Sequence, residues 1–117
     1  GGRLPSVPDN VELVPGWFAD TLPEFAATLD APIALLHIDC DLYQSTREVL
    51  AALGTSLQPG SVVVFDEYTG YPGWRGHEFR AWREYLAASS TEARLIGGQL
   101  LGQSAAFQIT STKGAPR

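Results

Sequence analysis

Two uninterrupted apolar runs stand out in the hydrophobic pattern of the chain, and each leads into acidic residues. The first is "APIALLHIDCD", which begins at Ala31, and the second is "SVVVFDEY", which begins at Ser61. Neither run alternates apolar and polar positions, which is typical of strands covered on both faces, as in a parallel sheet. We therefore predict two buried parallel strands with acids at their carboxyl ends.

Three further segments carry apolar residues at helical intervals. In the first, Thr21 and Glu24 have the spacing of a capping box, and in the second Ser45 and Glu48 repeat that spacing. The stripes predict three helices, formed by Leu22, Phe25, Ala26 and Leu29, by Val49, Leu50, Leu53 and Leu57, and by Phe79, Trp82, Tyr85 and Leu86.

The two ends of the chain carry strand signals. "VELVPGWF", from Val11, is a short apolar run stopped by Pro15 and Gly16, which predicts a strand entering a turn. "ARLIGGQLLGQSAAFQITS", from Ala93, predicts a hairpin of two strands joined at a Gly-Gln turn. We expect one domain over residues 1–117, with flexible ends at 1–10 and 111–117.

The predicted order is strand, helix, strand, helix, strand, helix, hairpin. Such alternation indicates an α/β fold with right-handed crossovers. In open sheets of this kind, ligands bind beyond the carboxyl ends of the strands. Both acidic segments are expected at that edge.

Composition narrows the classes of partner. The 117 residues carry a formal net charge of -5, which argues against nucleic acid and anionic membranes because no basic stripe is present. The apolar runs are far shorter than the roughly 18 residues that a spanning helix needs. A single cysteine, Cys40, fits a reducing compartment, so we expect a cytoplasmic protein. A start at Gly-Gly without any methionine suggests a processed form or a piece of a longer protein.

The acids suggest a cation site. Along an extended strand His37, Asp39 and Asp41 project to one side, and if the two runs are neighbours, Asp39 lies close to Asp66 and Glu67. Carboxylates that close raise each other's pKa unless a cation lies between them. Oxygen ligands alone favour Mg²⁺, Mn²⁺ or Ca²⁺ over Zn²⁺.

Structural alternatives remain open for each residue taken alone. An acid at a strand end can cap a helix, accept loop amide hydrogens or face water. His37 is as easily a satisfied structural histidine as a substrate contact, and Cys40 is best explained as a small buried hydrophobe.

Three motifs in sequence, "PGWFADTLP", "HIDCDLYQST" and "PGSVVVFDEY", resemble the macrocin O-methyltransferase (TylF-type) family over about residues 11–86. Members are metal-dependent enzymes that use S-adenosylmethionine to methylate sugar hydroxyls of macrolides and related natural products. The resemblance implies a Rossmann-like class I methyltransferase sheet.

The resemblance also implies roles for particular residues. Asp39, Asp66 and Glu67 match the positions that hold Mg²⁺, with Mn²⁺ as the alternative ion, and Glu67 departs from the usual aspartate. Asp41 matches the general base. Within the same segment we assign His37 to the catalytic site, and Asp39 and Tyr43 to the binding of S-adenosylmethionine.

Parts of the family pattern are missing. Methyltransferases of this class carry a glycine-rich loop after the first strand and an acid after the second, and neither is found in these 117 residues. The resemblance therefore implies the carboxyl-terminal half of the fold, without its first two strands. "VELV" would lose its usual neighbours, so we expect either a homo-oligomer, swapped or paired through an exposed sheet edge, or a shortened sheet with irregular packing of that segment.

Two functions from different classes follow. The first is a metal-dependent O-methyltransferase, or its metal and acceptor half. The alternative is a catalytically inactive α/β module that acts by association. Hydrolase chemistry has no support, because the chain has no Gly-x-Ser-x-Gly elbow and no evident nucleophile paired with a base.

Overall fold

The computed structural model describes residues 4–40, 42–98 and 103–112, which form three helices and four strands. The elements are α1 (Phe18–Thr28), β1 (Ile33–Ile38), α2 (Tyr43–Leu53), a 3₁₀ turn (Gly54–Ser56), β2 (Leu57–Phe65), a second 3₁₀ turn (Trp74–Gly76), α3 (Glu78–Ser89), β3 (Thr91–Gly98) and β4 (Ala105–Thr112). None of the helices described is long and apolar enough to cross a membrane.

The strands form one mixed sheet in the order β1-β2-β4-β3. β1 and β2 run parallel, while β4 lies antiparallel to both β2 and β3. The prediction that the two apolar runs are parallel strands is confirmed, and so is the antiparallel pairing of the two carboxyl-terminal strands. The predicted Gly-Gln turn between those strands lies outside the described residues. β4 includes Ser111 and Thr112, which the sequence assigned to the flexible end.

Both predicted capping boxes are wrong. α1 begins at Phe18, three residues before Thr21, whose hydroxyl donates to the carbonyl of Trp17 at 3.0 Å instead of accepting an amide hydrogen. α2 begins at Tyr43, two residues before Ser45, and neither helix has a side-chain cap. Tyr43 packs against the core, so tertiary packing supports the earlier start of α2.

The predicted strand at residues 11–14 is also wrong. This segment is exposed and irregular, and its printed backbone bond runs from the Val11 amide to the Pro8 carbonyl at 3.0 Å. A strand needs a neighbour to satisfy its amide and carbonyl groups, and none of the four strands described pairs with this segment. Irregular packing, the second of the two expected arrangements, is what the single chain shows.

The hydrophobic core lies between one face of the sheet and a single layer of helices. α2 contacts both α1 and α3, so the three helices cover the same face. Val63 and Phe65 of β2 point into this layer and are fully buried, as is Trp82 of α3. The core consists of Ile38, Val49, Leu50, Leu53, Leu57, Val63, Phe65, Tyr68, Ala81, Trp82, Ala105 and Ile109.

The opposite face of the sheet is largely uncovered. We call it the open face and define it by Leu35, His37, Val62 and Val64, which lie on one side because Leu35 pairs with Val62 and His37 with Val64. Leu35 is 62% exposed and His37 is exposed, while the two valines are only partly buried. The expectation that both faces are covered is therefore wrong for β1.

The chain exposes more surface than is usual for its length. The chain exposes 7845 Å², whereas a monomer of this size typically exposes about 6,200 Å². The radius of gyration is 14.6 Å, against about 13.4 Å expected for 117 residues. Among the strands described, β1 pairs only with β2, so its outer edge has no strand partner.

Candidate active site

The ends of β1 and β2 bring the predicted site residues to one edge of the sheet. Ile38 and Phe65 are register partners at these ends. One residue further, the Asp66 amide donates to the carbonyl of Ile38 at 3.0 Å. Asp39 and Asp66 therefore follow adjacent strand ends, with Glu67 next along the chain. We call these three residues the acidic edge.

The side chains of the acidic edge differ in exposure. Asp39 and Asp66 are exposed, and Glu67 is partly buried. Within residues 4–40, 42–98 and 103–112, no group of three or more His, Cys, Asp or Glu side chains is arranged to hold a metal ion. The sequence predicted Asp39, Asp66 and Glu67 as metal ligands, and that assignment stays a prediction. The predicted base, Asp41, lies outside the described residues.

His37 does not share a regular strand with the acids. β1 ends at Ile38, so the alternation that was expected to carry Asp39 and Asp41 to the side of His37 applies only up to the strand end. His37 itself lies on the open face, in register with Val64. Its predicted catalytic role stays a prediction.

Tyr43, the predicted cofactor contact, is engaged by α3. Its hydroxyl donates to Glu84 Oε1 at 2.5 Å, and the guanidinium of Arg80 lies 4.1 Å from the centre of its ring. The hydrogen bond to Glu84 raises the pKa of Tyr43, and the same bond lowers the pKa of Glu84. The side chain of Tyr43 thus links the start of α2 to the exposed surface of α3.

Glu78 is a residue that sequence reasoning missed. It is the first residue of α3 and is fully buried. Its Oε2 accepts a hydrogen bond from the Cys40 amide at 3.3 Å, and its Oε1 accepts one from the Glu67 amide at 3.2 Å. In the sequence, Glu78 is an acid at the start of a helix after a glycine-rich loop. Such an acid is usually exposed to solvent in the first helical turn, so the pattern did not indicate burial.

Cys40, which lies between the two aspartates of the first motif, is an unreactive thiol. Burial, and to a smaller extent the charge of Glu78, raise the pKa of Cys40 from its usual 9.0 to about 11. The thiol is therefore protonated at neutral pH, where it is a poor nucleophile. This agrees with the interpretation of Cys40 as a small hydrophobe, although its side chain is only partly buried.

Two cavities differ in their relation to the acids. One of about 570 Å³ lies at the opposite end of β2, beside Gly54 and Gln58. The other, of about 580 Å³, is bounded by Tyr68 and Thr69, which directly follow Glu67, and by Leu95 of the hairpin. The second is the better candidate for a ligand, because ligands of open α/β sheets bind beyond the carboxyl ends of the strands.

Comparison with known families relates this chain to a family of methyltransferases. The sequence model of the family described as macrocin-O-methyltransferase (TylF) matches residues 4–97. This range contains the whole of residues 11–86, over which the motifs resemble that family, and the resemblance is thereby confirmed.

Individual relatives agree with the family match. The chain is 42% identical over 60 residues to 8-demethyl-8-(2,3-dimethoxy-alpha-L-rhamnosyl)-tetracenomycin-C 4'-O-methyltransferase of Streptomyces olivaceus, an alignment that covers 51% of this chain and 22% of the relative. It is 41% identical over 64 residues to demethyldecarbamoylnovobiocin O-methyltransferase of Streptomyces niveus, covering 55% and 23% of the two chains. It is 38% identical over 74 residues to mycinamicin III 3''-O-methyltransferase of Micromonospora griseorubida, covering 62% and 28%.

Solved structures show the same relationship in three dimensions. The O-methyltransferase NovP superposes with a TM-score of 0.72 at 32% identity, covering 90% of this chain and 40% of NovP. CalS11, described as a TDP-rhamnose 3'-O-methyltransferase of calicheamicin biosynthesis, superposes with a TM-score of 0.64 at 35% identity, covering 81% and 39%. This chain thus spans less than half the length of the proteins it matches, which confirms the expected partial sheet.

Proposed function

Because this chain belongs to the macrocin-O-methyltransferase (TylF) family, we propose that it provides the metal- and acceptor-binding part of an S-adenosylmethionine-dependent O-methyltransferase. The proposed acceptor is a hydroxyl group of a sugar or natural product. One observation carries the proposal: the carboxyl ends of β1 and β2 are adjacent, so Asp39, Asp66 and Glu67 lie at one edge of the sheet.

The names of the relatives support this acceptor class. All three relatives in sequence are O-methyltransferases of natural products, and CalS11 is described as acting on TDP-rhamnose. The cavity bounded by Tyr68, Thr69 and Leu95 has about 580 Å³, within the range of about 300–1,000 Å³ that small-molecule sites occupy. Tyr68, which bounds this cavity, directly follows Glu67 of the acidic edge.

The chemistry of the donor set suits a hard divalent cation, although the three side chains are not arranged around a common point within the part of the chain that the structure describes. Asp39, Asp66 and Glu67 offer only carboxylate oxygens, which Mg²⁺ and Mn²⁺ prefer. The ion would supply a positive charge that lowers the pKa of the acceptor hydroxyl, as metals do for bound water. The carboxylates of Asp39, Asp66 and Glu67 would hold that ion at the edge of the sheet where β1 and β2 end.

The remaining residues of the first motif have proposed roles around the acceptor. Asp41 would accept the hydroxyl proton, because a carboxylate within hydrogen-bond reach can act as general base even when it is a weak one. His37 would contact the acceptor from the exposed end of β1. S-adenosylmethionine supplies an electrophilic methyl group, and Asp39 and Tyr43 are proposed to contact it. We propose a cytoplasmic location.

Calorimetric titration of this chain tests the proposal. We expect Mg²⁺ or Mn²⁺ to bind with one equivalent per chain, and S-adenosylmethionine to be titrated next into the metal-loaded protein. Binding of both supports a complete site in the chain or its oligomer, and binding of the metal alone supports the metal and acceptor half. Binding of neither contradicts the enzymatic proposal and favours the association module.

The association module is the second candidate, and the uncovered side of the sheet favours it. The outer edge of β1 has no strand partner within the structure described, and Leu35 is 62% exposed. Unpaired strand edges can pair with another chain. Such pairing is also compatible with an enzyme, so we propose homo-oligomerisation through β1 under either function.

Replacing Leu35 with lysine should weaken that association. A lysine on an edge strand disfavours pairing with another strand, because its charge must stay hydrated. We expect sedimentation equilibrium to show concentration-dependent association of the wild type and a shift towards monomer for Leu35→Lys. Leu4→Lys is the matched control, since Leu4 is 57% exposed and lies far from any strand in sequence. A monomeric wild type, or an equal effect of both variants, contradicts pairing through β1.

A further inference from the structure

We propose that Glu78 is a positioning residue for the acidic edge, whose buried carboxylate holds the loops after β1 and β2 at a fixed separation. The inference rests on the proposed function for its catalytic meaning. The contact itself does not depend on that function, because the hydrogen bonds from the Cys40 and Glu67 amides to the Glu78 carboxylate are a feature of the structure.

The burial of Glu78 is unusual for its residue type. Glutamate is rarely buried completely unless its charge is compensated, and Glu78 has no exposed surface. Its two oxygens accept hydrogen bonds from two different loops, at 3.3 Å and 3.2 Å. Its place at the start of α3 adds compensation, since the amino-terminal end of a helix carries partial positive charge.

The position of the carboxylate is fixed by the core. Ala81 and Trp82 follow on the next turn of α3 and are buried against the sheet. The helix therefore cannot shift without disturbing that packing, and the carboxylate is held at a constant place relative to both strands. The two loops are positioned by the helix layer as well as by each other.

The two amides that donate to Glu78 belong to residues beside or among the proposed metal ligands. Cys40 directly follows Asp39, and Glu67 directly follows Asp66 and is itself a proposed ligand. A change at either amide would move an adjacent carboxylate. Because sites for ions and reacting groups require placement to within about 0.5 Å, loss of the link should change metal affinity before it unfolds the chain.

The test compares Glu78→Gln with Glu24→Gln, which removes the same charge from an exposed position of α1. The glutamine amide can accept one of the two hydrogen bonds and must present its NH₂ group to the other donor. In calorimetric titration with Mn²⁺, we expect Glu78→Gln to bind about 10–100-fold more weakly than the wild type, the range seen when supporting partners of ligands are lost. Glu24→Gln should bind as the wild type does. Circular dichroism checks that both variants are folded.

Hydrogen exchange separates this inference from the proposed function. In the wild type the Cys40 and Glu67 amides should exchange slowly, and at least one should lose protection in Glu78→Gln. A folded Glu78→Gln with wild-type Mn²⁺ affinity overturns the inference and leaves the proposed function standing.

If the wild type does not bind Mn²⁺, the proposed metal site fails, and the exchange measurement alone decides the inference. If Glu78→Gln does not fold, hydrogen exchange of the Cys40 and Glu67 amides in the wild type tests the inference. Exchange of both amides as fast as in an exposed loop overturns it.

Discussion

Replacing Asp39 and Asp66 together with asparagine should weaken Mn²⁺ binding by at least about 100-fold, since even the loss of a ligand's supporting partner costs 10–100-fold. Both substitutions keep the size of the side chain and remove a negative charge that a cation needs. Both side chains are exposed, so the fold should survive. Calorimetric titration gives the affinity, and thermal unfolding verifies that the variant is folded.

A second double variant controls for net charge. Asp9→Asn with Asp30→Asn removes the same two charges from exposed positions outside the acidic edge. We expect this variant to keep wild-type affinity, because neither residue is a proposed ligand and the attraction of exposed charges for an ion is weakened by screening at physiological salt. Equal losses in the two double variants would show diffuse attraction of cations by an acidic chain. Undiminished binding by the Asp39 and Asp66 variant would remove the metal site from the proposal.

Truncating Trp82 to alanine should lower the free energy of unfolding by about 3–5 kcal/mol, the usual cost of removing a large buried aromatic side chain. Trp82 is fully buried. Its ring lies 5.2 Å from that of Phe65, 5.5 Å from that of Phe107 and 5.6 Å from that of Tyr85, measured between centroids. It therefore joins α3 to both β2 and β4.

Urea unfolding measures this loss, and Trp17 offers a matched control. Trp17 is 82% exposed, so Trp17→Ala should change stability by less than about 0.5 kcal/mol. Trp82→Phe, which retains most of the aromatic packing, should fall between the two and keeps the transition measurable if the alanine variant is largely unfolded. Similar losses for Trp17→Ala and Trp82→Ala would contradict the described core.

The strands and their acidic ends could be predicted because they depend on local pattern. The runs that became β1 and β2 are apolar without interruption, and the order of elements made them neighbours in a parallel sheet. Adjacent strand ends then place Asp39 near Asp66, which the bond from the Asp66 amide to the Ile38 carbonyl supports. This much of the candidate site follows from sequence order alone.

The wrong predictions concern features that depend on tertiary contacts, which a local sequence pattern does not contain. Apolar residues at 11–14 predict a strand, but strand formation also needs a neighbouring strand. The run containing Leu35 indicates apolar faces, but it does not say what covers each face, and one face is open. Thr21 had the spacing of a cap, yet its hydroxyl bonds a carbonyl inside a helix that began earlier.

The buried position of Glu78 was not predicted from the sequence for a related reason. In the sequence it precedes Phe79 at the start of a helical stripe, where an acid normally faces water. Its burial depends on two amides that approach from residues 38 and 11 positions away in the chain. Only the tertiary arrangement brings those donors together.

The open face also has a thermodynamic consequence. The heat capacity of unfolding and the dependence of stability on denaturant both scale with the apolar surface that becomes hydrated, and Leu35 already contributes much of its surface to water in the native state. The heat capacity change should therefore fall below the usual value of about 12–15 cal/mol/K per residue. A smaller heat capacity change flattens the curve of stability against temperature. The stability of the single chain is thus expected to change slowly across the physiological range.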